Sequence, residues 1–474
     1  MSEIRAFDVA VVGGGFGGAA VAYHLAHLRP SASIAVFEPR AFLGGGLAYD
    51  DADPAHRINV PATRMSLIPG DDGHFARWLE ESGAGRDDHD IVGRDGFLYP
   101  RRAVFGRYAA SHLDPLIRSG RVTHIKARVQ SLDRAHGQWS ISTGSGAPFR
   151  ARIVVLATTH PAPEAPPVLA RAVADPRIVG DALVPGALSG ISPDARVVIL
   201  GTGLTMADVV ASLDRQGHTG LIIAVSRRGL RSRGHAASAA EPFGDFTEPA
   251  PPASQFLRKI RQTLGEAAAL DLSWHSVIDA VRGQAQAFWG KLSPRDQSRI
   301  VRHLRVYWDV HRFRIAPQVE DVLNRRTASG SLRVLAASLE AVQPKAGHID
   351  VVVRRRGQQT LETLPADRVI VTTGPAHHKI LSTQPYLAAL GAAGRITADH
   401  LGLGIAVDAD SRALDARGTP GDGTLLVAGP LARARFGELM GLPQVSEHAL
   451  KVAAEVSRLL EASGVAARDA LEVN

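Results

Sequence analysis

The 474-residue chain has no cysteine. Disulfides, thiolate metal sites, iron–sulfur clusters and thiol nucleophiles all need that sulfur, so the absence excludes them together. Long apolar runs are missing too: no stretch of the sequence approaches the roughly 20 residues that a membrane-spanning helix requires. A strand pattern begins at Asp8, too early for a secretory leader to precede it. These absences set the expectation of a cytoplasmic protein with no membrane partner.

The residues that are present describe a globular chain, 45% hydrophobic and 21% charged. Its length is more than one ordinary core accommodates, so two or three domains are expected. The formal charge is +7, but the positive residues are scattered. The one tight run, Arg354-Arg355-Arg356, lies between Val351-Val352-Val353 and Gly357 and reads as a solvated hairpin tip. No nucleic-acid partner is expected, since a protein that holds several cofactor phosphates has reason enough to be basic.

The organising stretch is Asp8 to Ala20, where the apolar run Val9–Val12 meets Gly13-Gly14-Gly15-Phe16-Gly17-Gly18 and passes directly into a helix-forming segment that ends near Leu28. Strand, glycine turn and helix in this order suit a dinucleotide. Gly13 permits the turn, Gly15 lets backbone approach a pyrophosphate, Gly18 lets the helix lie close to the sheet, and the free N–H groups of the helix start face the anion. A second apolar run, Ile34–Phe37, ends in Glu38, twenty residues after Gly18, where a carboxylate can accept from ribose hydroxyls. A further glycine cluster, Gly44-Gly45-Gly46-Leu47, stands within reach of the first.

Alternating patterns at Val122–Ile125, Ala127–Leu132 and Trp139–Thr143, then a buried run Ala151–Leu156 ending in Ala157-Thr158-Thr159-His160, read as a meander that returns to the sheet. The proline-rich stretch Pro161–Pro167 is a stiff connector and a domain crossing. Beyond it the opening pattern recurs: Arg196–Leu200 as strand, Gly201-Thr202-Gly203-Leu204-Thr205-Met206 as turn, a helix from Ala207, and a second strand Leu221–Val225. Where the first unit has Glu38, this one has Arg227-Arg228, a pair suited to the 2′-phosphate of NADP. Leu332–Ala336, Ile349–Val353 and Asp367–Val371 repeat the strands, and Thr372-Thr373-Gly374-Pro375 echoes Thr158-Thr159. The chain is a coarse internal duplication with two nucleotide sites.

Residues 235–325 stand outside that repeat. His235 to Ala253 reads as a mobile lid, and helices follow, one with Ser293 as N-cap and Pro294 in its first turn, running on to Arg314. His303 and His311 share a face but have no carboxylate at matching spacing, so no metal is expected. A last strand, Thr424–Ala428, stops at Gly429-Pro430, and a final helix starts near Gln444 with its free N–H groups available to a flavin's pyrimidine edge.

Two fingerprints, one ending in Glu38 and the other in Arg227-Arg228, resemble the two-dinucleotide-domain flavoproteins. Gly44–Tyr49, Asn59-Val60-Pro61-Ala62, Gly201–Asp208, Ser226–Leu230 and Trp308-Asp309-Val310-His311-Arg312 are similar more closely to the bacterial FAD/NAD(P)-binding family, itself similar to N-hydroxylating and Baeyer–Villiger monooxygenases. The resemblance implies an α/β fold of two Rossmann-like domains (three-layer ββα) with a helical insertion at 235–325: an FAD domain in two segments, 1–187 and 376–474, and an NAD(P) domain at 188–375. It implies FAD contacts from Gly13, Gly15, Phe16, Gly18, Glu38, Pro39, Arg40, Gly45, Gly46, Leu47, Asn59, Val129, Ala157, Thr158, Thr159, Gly429 and Gln444. NADPH contacts would come from Gly201, Gly203, Leu204, Thr205, Arg227, Arg228 and Gly374. The implied activity is an NAD(P)H-dependent flavin monooxygenase that takes a small molecule and molecular oxygen, with an electron-transfer reductase as the alternative. Gly429-Pro430 departs from the family's Gly-Asp, and Phe436-Gly437-Glu438 from its Trp-Glu. His160, His377, His378, Asn59 and Arg101 are polar candidates for the substrate pocket, and the catalytic side chains are left open.

Overall fold

The computed structural model describes residues 4–238, 241–248 and 252–472, with side chains as far as Ser463. Two sheets organise it, and each grows from one of the apolar strand-turn-helix units. In the first, β1 (Ala6–Val12), β2 (Ile34–Phe37) and β3 (Val122–Ile125) run parallel. The meander β4 (Ser131–Ala135) and β5 (Gln138–Ser142) leads antiparallel into β6 (Phe149–Leu156), which lies parallel to β1. The strand order is β3-β2-β1-β6-β5-β4. Val9 to Val12, Ile34 to Phe37 and Ile153 to Leu156 are all buried, as strands covered on both faces must be.

The second sheet holds β7 (Ile178–Val179), β8 (Val197–Leu200), β9 (Ile222–Ser226), β10 (Leu332–Pro344), β11 (Ile349–Arg355), β12 (Leu361–Ala366) and β13 (Arg368–Val371) in the order β12-β11-β10-β9-β8-β13-β7. Its parallel part, β10-β9-β8-β13, repeats β3-β2-β1-β6 strand for strand. The edge beyond β13 is taken by β7; beyond the carboxyl half of β6 it is taken by β14 (Leu425–Val427), which returns from the far end of the chain. The doubly wound α/β fold with two Rossmann-like units is therefore present. The change of sheet falls before residue 188, because Ile178 and Val179 already pair with Val369 and Ile370.

Several element boundaries differ from the periodicity. β10 is thirteen residues long rather than five: after pairing with β9 it passes a register shift between Leu339 and Ala341 and continues as the partner of β11. Arg354 and Arg355 belong to β11, where they pair with Glu340 and Glu362, rather than to a free tip. The strand expected at Ala127–Leu132 begins only at Ser131. The helix Pro317–Ala328 packs on the helix Leu204–Arg215 and precedes β10, so it is the crossover of the second unit, as Arg102–Arg118 is of the first, and the inserted helices end near residue 316.

Those inserted helices, Ala253–Ala269, Trp274–Gly283, Ala285–Trp289, Pro294–His303 and Arg305–Arg312, close around their own apolar cluster of Phe246, Phe256, Val277, Phe288 and Trp289. Ser293 caps its helix by accepting from the Asp296 N–H at 3.1 Å, but that helix ends at His303 and a separate one carries His311. Part of the expected lid, residues 239–240 and 249–251, lies outside the described residues.

Candidate dinucleotide and substrate site

The first glycine loop is fixed by contacts that leave no room for a side chain. Gly13 has φ +104°, and a Cβ there would stand 2.5 Å from the Ala157 carbonyl oxygen. A Cβ at Gly18 would fall 1.9 Å from the Gly13 carbonyl and 3.0 Å from the Ala157 Cβ, which locks the helix Phe16–Leu28 against the exit of β6. Gly14, which the fingerprint alone does not single out, is equally constrained: its Cβ would sit 2.6 Å from that of Glu38. Gly15 differs, since only the Gly46 Cα comes near, at 3.5 Å. It caps the helix without any side-chain acceptor, so the first N–H groups of that helix are free for an anion. The Gly44–Gly46 cluster closes over this loop; a Cβ at Gly46 would meet the Gly15 Cα at 2.7 Å. Beneath it Phe16 packs against Tyr49 and Phe105, while Leu47 is exposed.

Glu38 stands at the end of β2 and is only 4% exposed. Its Oε2 accepts from the Gly14 N–H at 3.0 Å, and Oε1 from the Arg40 N–H and Nη1, both at 3.1 Å. The carboxylate is thus oriented beside the loop with lone pairs to spare, while Pro39 is exposed. At the exit of β6, Thr158 shares a hydrogen bond of 2.6 Å with Tyr386, Thr159 is exposed and Val129 is buried. Gly429, where β14 ends, has φ +75°, and its N–H donates to His448 Nδ1 at 3.1 Å. Burial pushes His448 down to about 3, so the ring is neutral; with Nδ1 accepting, Nε2 carries the proton toward Ser411.

The second loop repeats this construction. Gly201 has φ +126° and a Cβ there would stand 2.3 Å from the Thr372 carbonyl, the counterpart of Ala157. Gly203 caps the helix Leu204–Arg215 and has nothing within 4 Å of a Cβ position. Thr205 lies in the first turn of that helix, and Met206, in place of the third glycine, is fully buried and packs into the core between the sheets. Beyond β9, Arg227 is exposed, whereas Arg228 lies over the Tyr307 ring and donates from Nη1 to its hydroxyl at 2.6 Å. Gly374, at φ +81°, stands in open space where β13 exits.

Between the short helix Gly46–Tyr49, the start of the helix Leu204–Arg215 and the inserted helices lies a cleft of about 240 Å³, lined among others by Tyr49, Asn59, Leu204, His235, Arg282 and Arg312. The Asn59 carbonyl bonds His235 Nε2 at 2.9 Å, and burial pushes this histidine down to about 4. Arg282 donates from Nη2 to the Leu442 carbonyl at 2.7 Å and to Gln444 Oε1 at 2.9 Å, at the very start of the helix Gln444–Glu472. No sequence pattern pointed to that arginine. A hollow of about 320 Å³ beside Asp194 and Arg368 lies at the opposite, amino-terminal ends of β8 and β13 and touches neither loop. Ligands of open α/β sheets sit at the carboxyl ends, which favours the cleft.

The polar candidates divide. His160 and His377 leave β6 and the β13 exit and meet edge to face at 4.7 Å. Burial, then the charge of Arg433, pushes them down to about 4 and about 2. Arg433 is 5% exposed, with Nε and Nη2 lacking any acceptor, and both histidine Nδ1 atoms lack a hydrogen-bond partner. Such unsatisfied polar atoms at the strand exits fit a polar cofactor ring better than a finished protein core. His378 faces Glu164 at 3.3 Å and Arg101 faces Asp87 at 3.0 Å; of the five candidates only Asn59 lines the cleft. His311 Nδ1 bonds the Tyr307 carbonyl at 2.7 Å, and among the described residues no three potential ligands gather for a metal.

Residues 10–161 match the family described as FAD-NAD(P)-binding. A sequence search of the curated proteins gives no match. Among solved structures, the ornithine hydroxylase of Pseudomonas aeruginosa aligns with a TM-score of 0.64 at 15% identity over 96% of this chain and 100% of that one. The L-lysine 6-monooxygenase of Pseudomonas syringae aligns at 0.62 and 18% over 96% and 99%. The ornithine N-hydroxylase of Kutzneria sp. 744, solved with reduced FAD, NADP+ and L-ornithine, aligns at 0.60 and 19% over the same shares. Residues 10–161 are thus similar to an FAD-NAD(P)-binding family, and the chain shares the fold of these hydroxylases.

Proposed function

We propose that the chain is an FAD-dependent oxidoreductase reduced by NADPH, acting as a monooxygenase on a small molecule, with FAD on the Gly13–Gly18 loop and NADPH on the Gly201–Met206 loop. One contrast carries the reading. The protein itself forbids a side chain at Gly13, Gly18 and Gly201, but leaves ordinary room at Gly15 and open space at Gly203. A glycine kept where the fold does not need it, at a helix start in both copies, is explained by a ligand whose phosphates approach the backbone.

Bound FAD would supply the redox chemistry, which protein side chains lack. The chain's own part is binding and orientation. The helix starts hold the two pyrophosphates, Glu38 accepts from the ribose of the first nucleotide, and Arg227 with Arg228 receives the 2′-phosphate of the second. Tyr49, Leu204 and the inserted helices wall the cleft, and Arg433, His160 and His377, which lie outside its lining, offer unpartnered polar atoms where β6 and β13 exit. A dithiol relay of the kind that disulfide reductases use is excluded by the absence of cysteine.

The test is an absorption spectrum of the purified protein before and after anaerobic NADPH. A yellow protein that NADPH bleaches, and whose oxygen uptake a small molecule stimulates, is the expected outcome. Colourless protein that cannot be reconstituted with FAD would overturn the reading. NADPH oxidation that runs only with an artificial electron acceptor would move it to an electron-transfer reductase.

A further inference from the structure

The cleft is rich in positive charge: five arginines, Arg64, Arg102, Arg282, Arg312 and Arg314, line it against two aspartates, Asp95 and Asp279. Three of the five are neutralised within the protein. Arg102 pairs with Asp208 at 2.9 Å, Arg312 with Glu438 at 2.5 Å, and Arg314 grips both oxygens of Asp279 at 2.8 and 3.0 Å. Arg64 is exposed at the rim. Arg282 is the exception among the enclosed ones: its acceptors are two neutral oxygens, its Nε is buried with none, and it takes part in no ion pair among the described residues. Asp279, three residues earlier on the same helix, is already taken by Arg314.

An enclosed guanidinium with no direct ion pair is costly, and the neighbouring Arg312 and Arg314 add to that cost, which the more distant carboxylates of Glu438 and Asp279 offset only in part. Burial and these neighbours push Arg282 down to about 9. Its hold on Leu442 and Gln444 fixes it where the inserted helices meet the first domain, so it is positioned rather than free to swing into solvent. The charge it lacks is one that a ligand in the cleft would bring.

We propose that the cleft binds a substrate carrying a carboxylate and that Arg282 is the residue that receives it. This deepens the monooxygenase reading, on which it rests for the word substrate; the binding itself is independent of flavin chemistry. A charge-assisted contact to a desolvated arginine discriminates an acid from its amide, because the amide offers one neutral oxygen in place of two charged ones.

The experiment is calorimetric titration of the full-length protein with benzoate and with benzamide, repeated on R282Q and R282K. FAD content and the NADPH dissociation constant are measured on the same preparations. The wild type is expected to prefer benzoate by about tenfold, the scale of one such contact. R282Q is expected to lose that preference and R282K, with a point charge in place of the planar fork, to keep part of it. Equal binding of acid and amide by the wild type would overturn the proposal, as would a preference that survives in R282Q. If R282Q weakens NADPH instead and leaves benzoate preferred, the arginine serves a nucleotide phosphate and the proposal also falls. Should R282Q fail to fold, the wild-type preference and its partial loss in R282K decide. Protein that holds no FAD would defeat the flavoprotein reading alone, since the titration still reports whether Arg282 selects a carboxylate.

Discussion

At the scale of single residues, the two glycine loops separate what the fold requires from what a ligand requires. Gly18→Ala would force a methyl to 1.9 Å from the Gly13 carbonyl, so this variant is expected to accumulate as insoluble or flavin-free protein. Gly203→Ala meets nothing within 4 Å, and Gly203 has φ −88°, which any residue adopts. We expect its unfolding midpoint to match the wild type while the KM for NADPH rises roughly tenfold, the scale of one lost close contact; an unchanged KM would remove Gly203 from the site. The arginines beyond β9 make a similar pair. Arg228 is held on Tyr307, but Arg227 is exposed. Arg227→Ala should therefore weaken NADPH by about tenfold and leave NADH unaffected if the guanidinium meets the 2′-phosphate, and steady-state kinetics with both coenzymes decide it. Gly13, Gly15, Gly18, Glu38 and Gly201 were legible because their spacing along the chain is itself the signal. Gly14 and Arg282 were not, because what constrains them, the Glu38 Cβ and the Gln444 side chain, lies far along the sequence and comes close only on folding.

At the scale of elements, the helix Leu204–Arg215 of the second unit is tied to a loop of the first by a network that periodicity could not reveal. Arg102 pairs with Asp208, and Ser212 Oγ donates to Asp53 at 2.7 Å while lying 3.0 Å from His56 Nε2. His56 Nδ1 faces Asp51 at 2.7 Å. Because the one Ser212 proton goes to Asp53, His56 must donate from Nε2, and the carboxylate of Asp51 requires it to donate from Nδ1 as well, so the ring is an imidazolium. Burial opposes this charge, but the hydrogen bond to Asp51 and the field of Asp208 raise His56 above its ordinary 6.5. A raised pKa in the folded state contributes stability that is fully present below 6.5 and is lost as pH rises through the raised value. The stability gap between wild type and His56→Gln should therefore be widest below pH 6.5, by ~1 kcal/mol or more, and should narrow as pH rises through the raised value. Urea unfolding at several pH values measures it, and a gap that widens with pH would show the ring to be neutral. Element identity was largely readable, since the parallel strands are continuous apolar runs and the helices follow glycine turns. Element length and membership were not: β10 owes its second half to its pairing with β11, and Pro317–Ala328 is a crossover only because β9 and β10 lie side by side.

At the scale of the whole molecule, the inserted helices are a separate apolar cluster that must be held against the first domain if they are to wall the cleft. Beside the hydrogen bonds of Arg282 to Leu442 and Gln444, contacts at and next to the departure Phe436-Gly437-Glu438 do this. The Trp289 ring lies so close to Gly437 that a Cβ would stand 2.8 Å from it, and Trp289 Nε1 donates to the Ala434 carbonyl at 2.8 Å. Arg312 and Glu438, each about 5% exposed on its side chain, form the accompanying ion pair. The motif around Trp308 was legible in the sequence as a unit, but its partner lies 126 residues away, which is why its role as an attachment was not. A buried pair of this kind is far more costly to break than to replace: removing one partner leaves an uncompensated charge, at roughly 3–5 kcal/mol, whereas exchanging both for apolar residues of similar volume is close to neutral. Glu438→Gln should therefore lower the unfolding midpoint, expose the inserted helices to limited proteolysis before the two sheets, and weaken FAD retention, because the wall of the cleft is released. The double variant Arg312→Met with Glu438→Leu should restore the midpoint and the protease resistance. Additive effects of the two changes, instead of recovery, would mean that the ion pair is not what fastens the insertion to the flavin side of the molecule.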